Sequence, residues 1–336
     1  MKILAERIRG AHQILVSTHM DPDGDGIGAL LALTLALRRA GTQVYPILPE
    51  PCPHRFLFLD PDRSLTSLPD DAEQLGCPRP DLALIVDTHQ WSLVGRVGEL
   101  LRAAEIPTLF LDHHPMDGDP REDVRGDATA SSTGELVYRL LHSFLDLPID
   151  ARVGECLYAS IAYDTHSFRY VRNSPSPHLV AADLLSRGVD ATRVYRHLFA
   201  SNPVGKIRLL GRVLEAVRIE EMGQLAWAEL PFDWICQHDV APDEFRDAVN
   251  HLLEIDGVEV AFMLKEVGRG KIKVSLRSKG RVGIREVAQS LGGGGHPFAA
   301  GATLHGDLAK ARTQVIQELA PVLLRHRSAG CDEIKG

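Results

Sequence analysis

Between His19 and Asp25 the chain sets one imidazole and three carboxylates within seven residues: His19, Asp21, Asp23 and Asp25. Carboxylates this dense repel one another and cost free energy to desolvate, so a fold seldom needs them for its own sake. A bound divalent cation removes that penalty. The plainer reading is an Asp-rich loop capping a helix, with Asp21 or Asp23 as the N-cap. Further along, the same residue types recur at the ends of apolar runs. Asp87 follows Leu82-Ala-Leu-Ile-Val86, Asp112-His113-His114 follows Thr108-Leu-Phe-Leu111, and Asp164 follows a helical stretch from Arg152 to Tyr163. Acids and imidazoles delivered repeatedly at one topological position are the main argument for a site.

The elements that must position these residues follow from the apolar pattern. Ile14-Leu-Val16, Thr42–Leu48, Asp81–Asp87 and Pro107–Asp112 read as strands, and Ala29–Leu37 as a helix packed hard on a sheet. Near-continuous apolar strands alternating with helices predict an α/β fold with a Rossmann-like parallel sheet covered on both faces. Ligands bind such sheets beyond the carboxyl ends of the strands, where the strand order switches. The polar loop Asp127–Gly134 leads into a helix through Leu141, with Ser132 or Thr133 as the predicted N-cap.

The pattern changes between Ser186 and Pro203, with a connector helix near Val204–Glu215. We expect domains over 1–188 and 213–336, joined by 189–212. The second half predicts a smaller α/β domain with a mixed or antiparallel sheet. Its strands fall at Leu214–Glu220, Gln224–Leu230, Val258–Glu266 and Lys271–Arg277, with a hairpin turn at Val267–Gly270. Its helices fall near Asp243–Glu254, Ile284–Leu291 and Leu308–Leu324, with a frayed tail after His326.

Composition narrows the class. The 336 residues carry a formal net charge of -8, which argues against a broad basic face for long duplex nucleic acid. Five cysteines without CxxC spacing read as free thiols in a reducing compartment. The first residues read as an amphipathic helix start rather than a signal peptide, and no apolar run reaches membrane-spanning length. The expectation is a cytoplasmic protein without a membrane partner.

Leu291-Gly-Gly-Gly-Gly-His296-Pro-Phe-Ala-Ala-Gly301 is the second unusual stretch. Consecutive glycines cost backbone entropy, so a close approach must justify them. Freed N–H groups there can form an anion-binding concavity, and Ala299-Ala-Gly301 reads as the start of a tightly packed helix. Upstream, Lys271, Lys273, Arg277, Lys279, Arg281 and Arg285 concentrate positive charge. Among them Arg277 is the best phosphate candidate, since a guanidinium grips phosphate bidentately; Lys271 and Lys273 read as a solvated strand face.

Together these pieces resemble the DHH/DHHA1 phosphoesterase family. The resemblance is carried by His19-x-Asp-Pro-Asp23-Gly-Asp25-Gly-Ile-Gly28, Val86-Asp87, Asp112-His113-His114, Asp164-Thr165 and Gly292–His296 with Ala299-Ala-Gly301. They occur in the family's order over nearly the whole chain. The short two-domain form is similar to the nanoRNase/pAp-phosphatase branch. That resemblance implies two Mn²⁺ ions per active site, with Mg²⁺ or Co²⁺ as substitutes. His19, Asp23 and Asp87 would hold one, and Asp25, Asp87, His113 and Asp164 the other, with Asp87 bridging. His114 would face the phosphate and Asp112 would orient a histidine. Arg277, Gly293, Gly294, Gly295 and His296 would hold the terminal nucleotide.

The implied substrates are short single-stranded RNA or DNA oligonucleotides and small nucleotides such as pAp and pApA, and the implied assembly is a homodimer. A RecJ-like exonuclease on longer strands and a non-catalytic nucleotide- or metal-binding protein are the alternatives. Two positions depart from the family. Leu93 stands where an Arg is frequent, and His166 where Gly is frequent. His166 and His89 can each supply a phosphate contact; the plainer reading of both is a loop histidine near the site.

Overall fold

The computed structural model describes residues 1–116, 121–220, 223–238, 240, 245, 248–268 and 270–333, with side chains as far as His326. The chain divides into two compact units, Met1–Ser201 and Asn202–Gly336.

In the first unit six strands form one sheet: β1 (Gln13–Ser17), β2 (Gln43–Leu48), β3 (Thr66–Ser67), β4 (Leu82–Val86), β5 (Thr108–Asp112) and β6 (Val124–Gly126). The order is β3-β2-β1-β4-β5-β6 and every pairing is parallel. On β4, Leu82, Leu84 and Val86 enter one core while Ala83 and Ile85 enter another on the opposite face. Burial on both faces is why the strand reads as an unbroken apolar run. The first core is built with α1 (Lys2–Arg9), α2 (Gly24–Arg39), α4 (Thr133–Arg139), α5 (Ala151–Asp164), α6 (Ser176–Ser186) and α7 (Ala191–Phe199); α3 (Gly95–Ala103) closes the other face.

Helices α2 and α5 approach closely at Gly28, where a Cβ would lie 2.6 Å from the Cys156 carbonyl oxygen. That approach brings the first turn of α2 beside the last turns of α5. The strand order reverses between β1 and β4, so the chains leaving these two strands diverge and open a crevice at their carboxyl ends.

The second unit holds α8 (Val204–Glu215), β7 (Arg218–Glu220), β8 (Leu225–Leu230), α9 (Phe232–His238), α10 (Val249–Leu253), β9 (Val260–Gly268), β10 (Lys271–Ser278), α11 (Arg285–Ser290), β11 (Gly294–His296), β12 (Ala299–His305) and α12 (Leu308–Glu333). Its sheet runs β11-β12-β10-β9-β8-β7, with β8 and β9 parallel and the other pairs antiparallel. The mixed sheet agrees with expectation.

Several elements differ from the sequence reading. The strands β3 and β6 are two and three residues long, too short to leave a pattern. Within 189–212 the expected connector helix is present as α8, but α7 was not expected, and it buries Val194 and Leu198 in the first unit's core. Helix α8 holds the chain through Glu215, which shortens the strand expected from Leu214 to β7. Ala299-Ala-Gly301 begins strand β12, not a helix, because it pairs with both β10 and β11. Helix α12 runs to Glu333 where fraying was expected after His326. Of the helix expected over Asp243–Glu254, residues 243, 244, 246 and 247 lie outside the described residues, as does Arg269 of the expected hairpin turn.

Candidate active site

The crevice collects the acids and imidazoles singled out above. Beyond β1, His19 is oriented by its Nδ1, 2.7 Å from the Met20 carbonyl oxygen. Its Nε2 then lies 3.3 Å from Asp87 Oδ2 and 3.9 Å from Asp23 Oδ1. Asp23 is the N-cap of α2: its Oδ1 accepts from the N–H groups of Asp25 and Gly26 at 3.0 and 3.2 Å. The plainer reading of the motif therefore holds at Asp23 together with the chemical one. Asp21 has left-handed backbone, and its N–H donates to Glu50.

Asp25 is fully buried on the first turn of α2. Its carboxylate accepts from the N–H groups of Thr133 (2.7 Å) and Gly134 (3.0 Å) at the start of α4, and from the Ser160 hydroxyl. A helix N-terminus suits an anion, because its first N–H groups lack partners within the helix. Ser132 caps that helix by accepting from the Glu135 N–H. Thr133 works in two directions, since its hydroxyl also donates to Asp87 Oδ1 at 3.0 Å. Asp87 follows β4 with φ +64, a left-handed backbone that turns the chain sharply into the site.

From β5 come Asp112, His113 and His114. His113 is buried, with Nε2 at 3.1 Å from Asp164 Oδ2, 3.5 Å from Asp25 Oδ2 and 3.6 Å from Asp87 Oδ1. Asp112 holds two imidazoles, one on each oxygen: His114 Nδ1 at 2.7 Å and His89 Nδ1 at 2.5 Å. Arg121 fixes the second of these loops by donating to the His89 carbonyl at 2.6 Å.

The electrostatics of the metal-free cluster follow from this crowding. Burial, then the charge of Asp164, pushes the Asp25 carboxyl up to about 7. Burial and the surrounding Asp25, Asp23 and Asp164 hold Asp87 well above the usual carboxylate range. For His113, burial works against the charged form, but the Asp164 hydrogen bond and charge outweigh it and bring the imidazole up to about 9. Burial likewise opposes ionisation of Asp112, yet its bonds to His114 and His89 keep it well below the ordinary range. Asp112 is thus settled as an anion, while Asp25 and Asp87 lack sufficient compensation as anions.

A divalent cation would supply that compensation. In two sets, His19–Asp23–Asp87 and Asp25–Asp87–His113, the ligand atoms lie within 4.8 Å of one another, and Asp87 belongs to both. Asp164 adjoins the second set through His113. A third set, Asp87–Asp112–His114, meets the same criterion. The donors are carboxylate oxygen and imidazole nitrogen without thiolate, a hard to borderline set that fits Mn²⁺ or Mg²⁺ better than a structural zinc.

His166 is not in any of these sets; it lies in the loop after Asp164, with its ring edge-on to Tyr170. The sequence reading missed Thr133, Gly134 and Ser160 as supports of Asp25. The predicted cap at Ser132 was the available signal for the first two.

In the second unit, His296, Ala299 and Arg277 stand opposite one another on β11, β12 and β10. Directly opposed residues share a sheet face. Arg277 and His296 therefore flank Ala299 on one side, with Gly294, Gly301 and Ser275 forming the next row. Part of the glycine run serves the fold: the N–H groups of Gly292 and Gly293 donate to the Gln289 and Ala288 carbonyls and close α11. Gly295 has φ +133, and a Cβ there would meet the Ala299 carbonyl oxygen at 2.6 Å. The expected concavity of consecutive free amides is thus, at Gly292 and Gly293, a helix cap leading into an edge strand.

Fold and cluster together define a candidate divalent-metal site at the switch point of a doubly wound sheet. Residues 13–161 match the DHH family, N-terminal domain, and residues 223–321 match the DHHA1 domain. The chain belongs to the DHH/DHHA1 phosphoesterase family.

It is 32% identical over 327 residues to the bifunctional oligoribonuclease and PAP phosphatase NrnA of Thermus thermophilus, covering 97% of this chain and 95% of that protein. The corresponding Bacillus subtilis protein is 26% identical, over 87% and 89% of the two chains. A cyclic-di-AMP phosphodiesterase, GdpP of Geobacillus thermodenitrificans, is 28% identical over 90% of this chain but only 46% of its own length. The fold matches that of an exopolyphosphatase-related protein from Bacteroides fragilis, with a TM-score of 0.87 at 24% identity over 97% and 96% of the chains.

Proposed function

We propose that the protein hydrolyses short oligonucleotides and linear dinucleotides to mononucleotides, and pAp to AMP and phosphate, with Mn²⁺ as its working metal. One observation carries the reading: carboxylates and imidazoles from two separated segments, residues 19–25 and 112–114, converge on Asp87, and Asp164 joins them through His113. It is supported by near-full-length similarity to relatives named for these two activities.

His19, Asp23, Asp25, Asp87, His113 and Asp164 would hold two divalent cations. When bound, these would lower the pKa of a water nucleophile and take up charge on the phosphoryl oxygens. The chain's own residues do the rest. Asp112 orients the His114 ring through its Nδ1, and His114 would face the substrate phosphate. The α4 N-terminus and Ser160 hold Asp25 rigid, so a ligand oxygen is in place before any cation arrives. In the second unit, Arg277 and His296 would take the terminal nucleotide's phosphate, and Gly293, Gly294 and Gly295 let the backbone come close. His166 belongs to the same proposal as a substrate contact.

The domains proposed are a DHH catalytic part over 1–188 and a DHHA1 part over 213–336. We also propose a homodimer working in a reducing cytoplasm. Cys52, Cys77, Cys156 and Cys236 are free thiols, which accords with that compartment. Among the described residues no helix is long and apolar enough to cross a membrane.

The test is a time course on labelled oligonucleotides of two to ten residues with Mn²⁺, with pAp in parallel. Mononucleotide release from the short chains and phosphate from pAp are expected. Efficient digestion only of longer strands would favour the exonuclease reading instead.

A further inference from the structure

We infer that His89 is a positioning residue: by holding Asp112 in one orientation, it keeps His114 in place for the substrate phosphate. The inference rests on the phosphoesterase reading and deepens it, giving a role to a residue outside the ligand sets.

Strands β4 and β5 pair as far as Val86 and Leu111, and the Asp87 N–H still donates to the Leu111 carbonyl at 3.0 Å. There the ladder ends, and Asp87 turns its chain away with φ +64. A side-chain contact then bridges the two strand ends: His89 Nδ1 lies 2.5 Å from Asp112 Oδ2. Little water competes for it, since the two side chains are 14% and 1% exposed.

The two oxygens of Asp112 are divided. Oδ1 takes His114 twice, through its backbone N–H at 3.1 Å and its Nδ1 at 2.7 Å, and Oδ2 takes His89. Turning the carboxyl group to release His114 would also break the His89 bond. The orientation that grips His114 is thus the one that His89 selects. Without His89, a buried carboxylate oxygen loses a donor, and the group gains a reason to turn.

The loop that carries His89 is pinned from elsewhere, so it can impose this orientation. Arg121 Nη1 donates to the His89 carbonyl at 2.6 Å, while Arg121 Nε donates to Asp123 Oδ1 at 2.9 Å. The Gln90 N–H donates to the Thr88 hydroxyl at 3.1 Å. Sequence alone offered His89 as a phosphate contact or a plain loop histidine. A ring whose Nδ1 serves Asp112 is neither idle nor, at that atom, open to a phosphate.

The experiment exploits the two ends of the imidazole: an Asn amide can stand in for Nδ1, a Gln amide for Nε2. Wild type, His89→Asn, His89→Gln and His89→Ala are compared on a dinucleotide and on pAp at saturating Mn²⁺, with Tm and calorimetric Mn²⁺ affinity measured for each. His89→Ala should lower kcat by about 10- to 100-fold, the scale of losing the support behind a site residue, with KM, Tm and Mn²⁺ affinity little changed. His89→Asn should recover most of that loss and His89→Gln little of it. Wild-type kcat in His89→Ala overturns the inference alone. So does a loss confined to KM and rescued by Gln instead of Asn, which would make His89 a direct phosphate contact. So does a loss common to all three variants with lowered Tm or weakened Mn²⁺ binding, which would make its role merely structural. If wild type cleaves neither substrate, the phosphoesterase reading falls and takes the inference with it.

Discussion

Asp87 is the residue on which both ligand sets turn, and His113 is the one nearest three carboxylates at once. Asp87→Ala or His113→Ala should lower metal-dependent hydrolysis by about 10³-fold, the scale of losing a main electrostatic partner of a transition state. Steady-state kinetics at saturating Mn²⁺ measures it. His296→Ala should instead raise KM about tenfold with kcat little changed, because it removes a binding contact.

The raised pKa values carry a second expectation at the same scale. In the metal-free protein the Asp25 carboxyl is pushed up to about 7 and the His113 imidazole to about 9. A group whose folded-state pKa is raised contributes stability that is whole below its unfolded value and lost as pH rises through the folded one. Metal-free protein should therefore melt at lower temperature at pH 8 than at pH 6. Added Mn²⁺ should raise Tm at both, and more at pH 8, where fewer protons compete for the ligands. A pH-independent increment in a calorimetric melt would contradict the ligand assignment.

Among the elements, the α2–α5 contact decides whether the ligands meet. Asp25 opens one helix and Asp164 ends the other, and Gly28 lets the two lie close. Gly28→Ala should cost about 1–3 kcal/mol in denaturant unfolding, since its methyl group would press on the Cys156 carbonyl and neither backbone can yield cheaply. These long elements could be read beforehand because burial on both faces leaves an unbroken apolar signature, as on β4. The edge strands β3 and β6 could not, being held by two or three ladder pairs each. Ala299-Ala-Gly301 was misread because small residues fit a close-packed helix as well as a central strand. Only its partners on either side, β10 and β11, decide for the strand.

At the scale of the whole chain, the acids and imidazoles proposed as ligands were legible as a cluster because each stands near where an apolar run stops, a position that a parallel sheet gathers at one edge. Their supports were less so. Thr133 and Ser160 are ordinary helix residues by type, and only the long-range pairing to Asp25, more than a hundred residues away, gives them a role.

The central claim is tested most directly by following labelled di- to pentanucleotides and pAp with wild type and Asp87→Ala under Mn²⁺. Mononucleotides and free phosphate that accumulate with the wild type alone, and stop on chelation, are the predicted result. Tight Mn²⁺ binding without turnover of any phosphoester, or equal turnover by Asp87→Ala, would contradict it.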